Sequence, residues 1–187
     1  MHDVVRVLGI TAAAAALTVA GVSLPASAAS SDGRVIASGG LTVRSAPSTR
    51  SAAEGVVARG KVIPIECKVR GTVVDGNDIW YALPPTTGEW VSARYVANVG
   101  AAPGWCAAGR TPATGRTTTA LVARKGPTTA DARTGATLAQ GATVRLVCKV
   151  DSQSVGGNTR WYWTTDGRWV SARYVTNVGA APGWCTA

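Results

Sequence analysis

Phenylalanine is absent from the 187 residues, methionine occurs once, and the single histidine is His2. With no histidine in the body of the chain, Ser-His-Asp, Cys-His and His-metal chemistry are all excluded there. Any aromatic packing must come from seven Trp and four Tyr. No stretch carries sustained helical periodicity, and no glycine-rich phosphate loop or heptad pattern occurs. Beyond residue 28 there is no long apolar run, which excludes a second hydrophobic segment able to span a bilayer. Four cysteines are present, but none lies in a C-x₂-C spacing, which argues against a tetrahedral zinc site.

The chain length suits one ordinary domain or two small ones. Residues 1–28 are read first as an export signal: Arg6 precedes the apolar run VLGITAAAAALTVAGV, and LPASA supplies the small-x-small pattern at Ala26 and Ala28. The run is too short and too weakly apolar for a comfortable membrane anchor. The expected product is secreted, free or associated with the cell wall. The formal charge is +9, and 15 of the 19 basic residues are Arg. Residues 29–109 carry net +2 and residues 110–187 net +7. Such a surface attracts anionic polymers, although part of the charge serves solubility.

A near-exact repeat organises the chain. WVSARYV-x-NVGAAPGWC spans Trp90 to Cys106 and recurs from Trp169 to Cys185, differing only at Ala97 and Thr176. Aligning the cysteines brings Leu41-Thr-Val-Arg44 onto Leu121-Val-Ala-Arg124, Pro47 onto Pro127, Gly60 onto Gly141 and Trp80-Tyr81 onto Trp161-Tyr162. Each unit has the size of a minimal independent domain. The expected division is residues 34–106, a linker at 107–116, and residues 117–185.

Within a unit, Lys61 to Val69 alternates so as to place Ile63, Ile65, Cys67 and Val69 on one face, and Thr143 to Val150 is its counterpart. Pro64 assigns that strand to an edge or a bulge. Gly71 to Asp78 reads as a loop, followed by strands at Ile79 to Leu83 and Glu89 to Ser92. About five short strands with no intervening helix imply an all-β unit with antiparallel pairing, closed into a small barrel.

The order Leu41-Thr-Val-Arg-Ser-Ala-Pro47, Gly60 before a strand, Trp80-Tyr81, then Trp90-Val-Ser-Ala-Arg-Tyr-Val96 resembles the bacterial Src-homology-3-like (SH3b) domain. The second unit keeps the ending but opens with the more divergent Leu121-Val-Ala-Arg-Lys-Gly-Pro127. The resemblance implies two tandem small β-barrels of a kind found in exported, wall-associated proteins. It also implies that peptide-binding members use a Trp on the strand and a Tyr in the closing turn. Carried over, this nominates Trp80 with Tyr95 and Trp161 with Tyr174. Arg94 and Arg173 stand beside them, able to pair with a carboxylate or stack on a ring. If the Tyr81 and Tyr162 side faces the core, Trp80, Trp161 and Trp163 line an outer groove. Trp90 and Trp169, opposite the core candidates Val91 and Val170, complete the candidate set.

The tail Asn98 to Cys106 runs past the ending that this resemblance covers. Four cysteines in an exported chain read as two disulfides, with three pairings formally possible. Cys67–Cys106 with Cys148–Cys185 lets each unit close itself; the alternatives require the units to dock closely. Trp105 and Trp184 are expected to cover the bridges. Among carboxylates, Asp75, Asp78, Glu89, Asp151 and Asp166 are the remaining catalytic candidates, but Asp75 and Asp78 sit in a glycine-rich stretch where such residues shape turns. No enzymatic role, cofactor or metal is therefore expected. The leading functional expectation is a monomeric, non-catalytic module that binds peptidoglycan or anionic wall polymer. The alternative is a peptide- or protein-binding module without wall affinity. Nucleic acid and a stable membrane anchor are not expected.

Overall fold

The computed structural model describes residues 31–85 and 88–187; the expected export signal lies outside the described residues. The architecture is all-β, with two short 3₁₀ turns. In the first repeat, β1 (Ser31–Val35) lies between β4 (Val62–Ile65) and β8 (Val96–Val99). A second sheet runs β3 (Ala53–Val57), β2 (Leu41–Arg44), β7 (Trp90–Ser92), β6 (Asn77–Ala82), β5 (Cys67–Val74). The two sheets close around Val35, Leu41, Val43, Ile65, Tyr81 and Val91. The second repeat is a single sheet, ordered β12 (Trp169–Ser171), β11 (Asn158–Thr164), β10 (Thr143–Val155), β9 (Ala113–Thr117), β13 (Val175–Val178). Its core holds the equivalent Leu121, Leu146, Tyr162 and Val170.

The diverged opening of the second repeat has a structural correlate. Strand β2 of the first repeat pairs with β3 and meets β7 at Arg44 and Trp90. In the second, the same contacts shrink to isolated bridges, Leu121 with Leu138 and Arg124 with both Arg133 and Trp169. Gly60 and Gly141 occupy equivalent turns at φ 83° and 78°, a left-handed backbone that disfavours a side chain. Strand β9 begins at Ala113 and pairs with both β10 and β13, so four residues expected in the linker belong to the second sheet. The remainder is held down: Ala107 N–H donates to the Thr186 carbonyl at 2.7 Å, and Arg110 reaches the carbonyls of Trp184 and Ala187.

Two local expectations change. The stretch expected as a loop at Gly71 to Asp78 is mostly strand, with only Asp75 and Gly76 (φ 45° and 81°) turning the hairpin. The alternation from Ile63 to Val69 is also not one continuous face. Between Leu146 and Cys148 the pairing with β11 advances by a single residue, from Thr164 to Trp163, so Val147 is an inserted bulge residue. Glu66 does the same between β4 and β5, donating its N–H to the Ala82 carbonyl that flanks Cys67. A one-residue bulge turns every following side chain to the opposite face. Ile65 and Leu146 therefore enter the barrel cores, while Cys67, Val69, Cys148 and Val150 point away from them. Pro64 lies on the edge strand β4, two residues before the bulge at Glu66.

The outward face is where the repeats meet. One cluster joins Cys67, Val69, Trp80, Trp90 and Cys106 to Cys148, Val150, Trp161, Trp163, Trp169 and Cys185. The disulfides are Cys67–Cys106 and Cys148–Cys185, each within its own repeat. Each arm lies parallel to its cysteine strand: Cys106 N–H donates to the Lys68 carbonyl at 2.9 Å, and Cys185 N–H to the Lys149 carbonyl at 3.0 Å. Across the interface the Trp169 indole N–H donates to the Arg70 carbonyl at 2.8 Å, and the Ser48 hydroxyl to buried Asp131 at 2.7 Å. The repeats are docked face to face.

Removing either disulfide frees a 37- or 39-residue loop in the unfolded chain, an entropic cost of about 4 kcal/mol. The double substitution Cys67→Ser with Cys106→Ser should lower stability by that order in urea unfolding. Because the bridge lies in the shared layer, the loss should appear in one transition covering both repeats.

Candidate functional site

The nine nominated residues separate into two groups. Arg94 and Arg173 are exposed, and Tyr95 and Tyr174 half-buried, on the 3₁₀ turns Ala93–Tyr95 and Ala172–Tyr174 that close the barrels. Ser92 and Ser171 cap these turns, each side chain accepting from the arginine N–H two residues on. The five tryptophans Trp80, Trp90, Trp161, Trp163 and Trp169 are buried, the most exposed at 7%. Alternation placed Trp80 and Trp161 opposite Tyr81 and Tyr162, and that is where they lie. Trp80, Trp161 and Trp163 do not line one common outer groove: their rings are buried in the layer between the repeats, and Trp80 and Trp163 border separate concavities. Burial of the indole N–H groups is mostly satisfied: Trp80 and Trp161 donate to the Thr72 and Gln153 carbonyls at 2.8 and 2.9 Å. Trp90 and Trp163 keep buried N–H groups without acceptors among the described residues.

An open groove of about 340 Å³ does exist in the first repeat. The turn from Ala37 to Gly40 with the start of β2 lines one side, Ser92 and Tyr95 another, and Trp80 also borders it. Trp80 and Tyr95, nominated as a pair, thus share one concave surface. The hairpin turn positions the tyrosine: the Tyr95 hydroxyl donates to the Asp75 carboxylate across the groove end. Arg94 places its guanidinium 5.7 Å from the Tyr95 ring centre, within cation–π reach. Loss of the hydroxyl proton would break the bond to Asp75 and set two anions together, so the Tyr95 pKa is raised above its usual value. In the second repeat Gly156 replaces Asp75, and Arg173 lies against it, within 2.9 Å of where a Cβ would stand. Tyr174 therefore has no equivalent carboxylate.

A second concavity, which sequence reasoning missed, opens between the repeats. It has a volume of about 300 Å³ and is lined by Ala82, Glu89, Trp90, Lys149, Asp151 and Trp184, among others. Trp105 and Trp184, expected to cover the disulfides, are 39% and 42% exposed on their arms. Lys68 and Arg70 lie over the Trp105 ring, and Lys149 and Arg160 over the Trp184 ring. Among the described residues there is no cluster of carboxylates and cysteines able to hold a metal ion. Asp75 and Asp78 are separately engaged, with Tyr95 and Arg70, rather than facing each other as a catalytic pair.

No family model matches the chain, and no curated protein matches it. Among solved structures, a chain titled Endolysin LysPBC5 CBD aligns with 12% identity, covering 81% of this chain and 95% of that one, at a TM-score of 0.29. A likeness at that level sets neither fold nor function.

The Asp75–Tyr95 bond makes a direct prediction. Asp75→Asn keeps a residue tolerant of the positive φ while removing the charge. Followed by tyrosinate absorbance, it should lower the Tyr95 titration toward that of an ordinary tyrosine.

Proposed function

We propose that this protein is an exported, non-catalytic binding module of two SH3b-like repeats that associates with cell-wall material, peptidoglycan or an anionic wall polymer. The repeats divide near residues 34–106 and 117–185, with the strands of the second starting at Ala113. The observation that carries this reading is the groove of the first repeat. Trp80 and Tyr95 share it, Arg94 stands beside it, and the bond to Asp75 fixes the tyrosine. A concave surface with an aromatic wall and a cation is suited to recognising a polar polymer rather than transforming it. Two disulfides fit an oxidising, extracellular setting. The charge of +7 on residues 110–187 adds salt-sensitive attraction to an anionic wall.

Arg173 and Gly156 stand where the first repeat places Arg94 and Asp75, so the two repeats present different surfaces. The first supplies the groove and the second most of the charge. This division gives the module one selective and one general contact with the same polymer.

Incubation of the mature protein with purified wall sacculi should retain it in the pellet, and raised salt should weaken but not abolish retention. Tyr95→Ala should reduce retention by about tenfold, the loss expected for an anchoring aromatic. No enrichment at low or high salt would overturn the reading. Saturable binding to peptides without wall retention would transfer the groove to a protein partner.

A further inference from the structure

Strand register makes Ala82 and Trp163 equivalent. Ala82 pairs with Cys67 on one side and Trp90 on the other; Trp163 pairs with Cys148 and Trp169. Trp163 reaches across the interface and stacks on Trp105 of the opposite arm, with ring centres 5.8 Å apart at 28°. Its other neighbour is Trp169, at 6.4 Å and 29°. Three indoles thus stack on that side of the interface, leaving only a shallower, more open hollow beside Trp105 and Trp163. On the opposite side Ala82 replaces the middle indole, and the space between Trp90 and the Trp184 arm is the cavity of about 300 Å³.

The rims differ in the same sense. Beside Trp163, Arg168 is engaged by Asp166 through its Nε at 2.8 Å, and the Asp166 carboxyl is held below its usual range by that contact. At the open side the residue equivalent to Arg168 is Glu89. Among the described residues neither the Glu89 carboxylate nor the Lys149 ammonium has a hydrogen-bond partner, the ammonium resting 5.2 Å from the Trp184 ring centre. Trp90 keeps its unsatisfied indole N–H, whereas its equivalent Trp169 donates to Arg70. A void left where an indole stacks elsewhere, with an acceptor and a donor at its rim, is the form of a site for a flat ring bearing several polar substituents.

We propose that the slot between Trp90 and Trp184 binds one pyranose ring of a wall glycan. The axial C–H faces of the sugar lie against the indoles, and its hydroxyls meet Glu89 and Lys149. An aromatic amino-acid side chain would fill the same volume but leave at least one of the two charged groups unused, since it carries at most one polar atom. The proposal rests on the wall-binding reading for the identity of the polymer, while the slot is separate from the Tyr95 groove.

Tryptophan emission of the full mature protein, titrated with a soluble oligomer of N-acetylglucosamine, should change saturably. Ala82→Trp, which supplies the indole found at the equivalent position, should abolish that change with no loss of the unfolding midpoint. Trp184→Ala removes a half-exposed wall and should weaken binding at least tenfold; it decides the matter if the first variant does not fold. Tyr95→Ala should leave oligosaccharide binding unchanged, so loss of wall retention and loss of slot binding are read independently. Saccharide binding that survives both slot substitutions, or no binding by the wild-type protein at millimolar oligomer, would overturn the proposal. Binding of indole-bearing peptides that the oligomer does not displace would overturn it in favour of an aromatic partner.

Discussion

Two single-residue bulges, at Glu66 and Val147, govern the molecule. Without them the apolar positions following Ile65 and Leu146 would stay turned into the barrels, and the cysteines with them. With them, each strand serves its barrel core for a few residues and then presents Cys, Val and the paired Trp outward. That outward face is too apolar to leave in water. It is covered by the same face of the other repeat, so the disulfides come to lie in a shared hydrophobic layer rather than on two separate surfaces. The Cys67 sulfur lies only 3.7 Å from the Cys185 carbonyl oxygen.

The arms complete this layer. Each adds parallel to its cysteine strand, satisfying backbone groups that an edge would leave open. Each also carries a Trp that reaches the rim of the interface under a Lys and an Arg. The cation over each arm tryptophan comes from different strands, Arg70 on β5 and Arg160 on β11. The ion pairs differ in the same way: Arg70 binds Asp78, whereas Asp151, at the position equivalent to Arg70, binds Arg160, which stands where the first repeat has Ile79. In both repeats a guanidinium lies over the arm ring.

Much of the fold was legible. Hydrophobic alternation, turn glycines and the order of motifs indicated short antiparallel strands, and one cysteine per strand and per tail favoured bridges within repeats. Pro64 marked its strand for an edge or a bulge, but the bulge residues themselves were not legible, because Cys67, Val69, Cys148 and Val150 continue the apolar alternation although they are buried on the outward face. Since Cys67 seemed to share a face with Ile65, the docking surface was hidden as well. Trp80, Trp161 and Trp163 were assigned to the correct side of their strands, but what lies against that side depends on contacts between residues about eighty positions apart. The inter-repeat cavity was unreadable for the same reason. Its one sequence signal was small: Ala82 standing where the second copy has Trp163.

That difference has a consequence for how an interface can be used. Two separate copies of either repeat, docked by this face, would form a symmetric dimer in which both slots are filled or both are open. Joining unlike copies in one chain releases this constraint. One side of the seam is closed by Trp163 and supplies cohesion, while the other can lose its indole without the whole seam loosening. Covalent duplication thereby allows asymmetry at an interface that self-association would force to be symmetric.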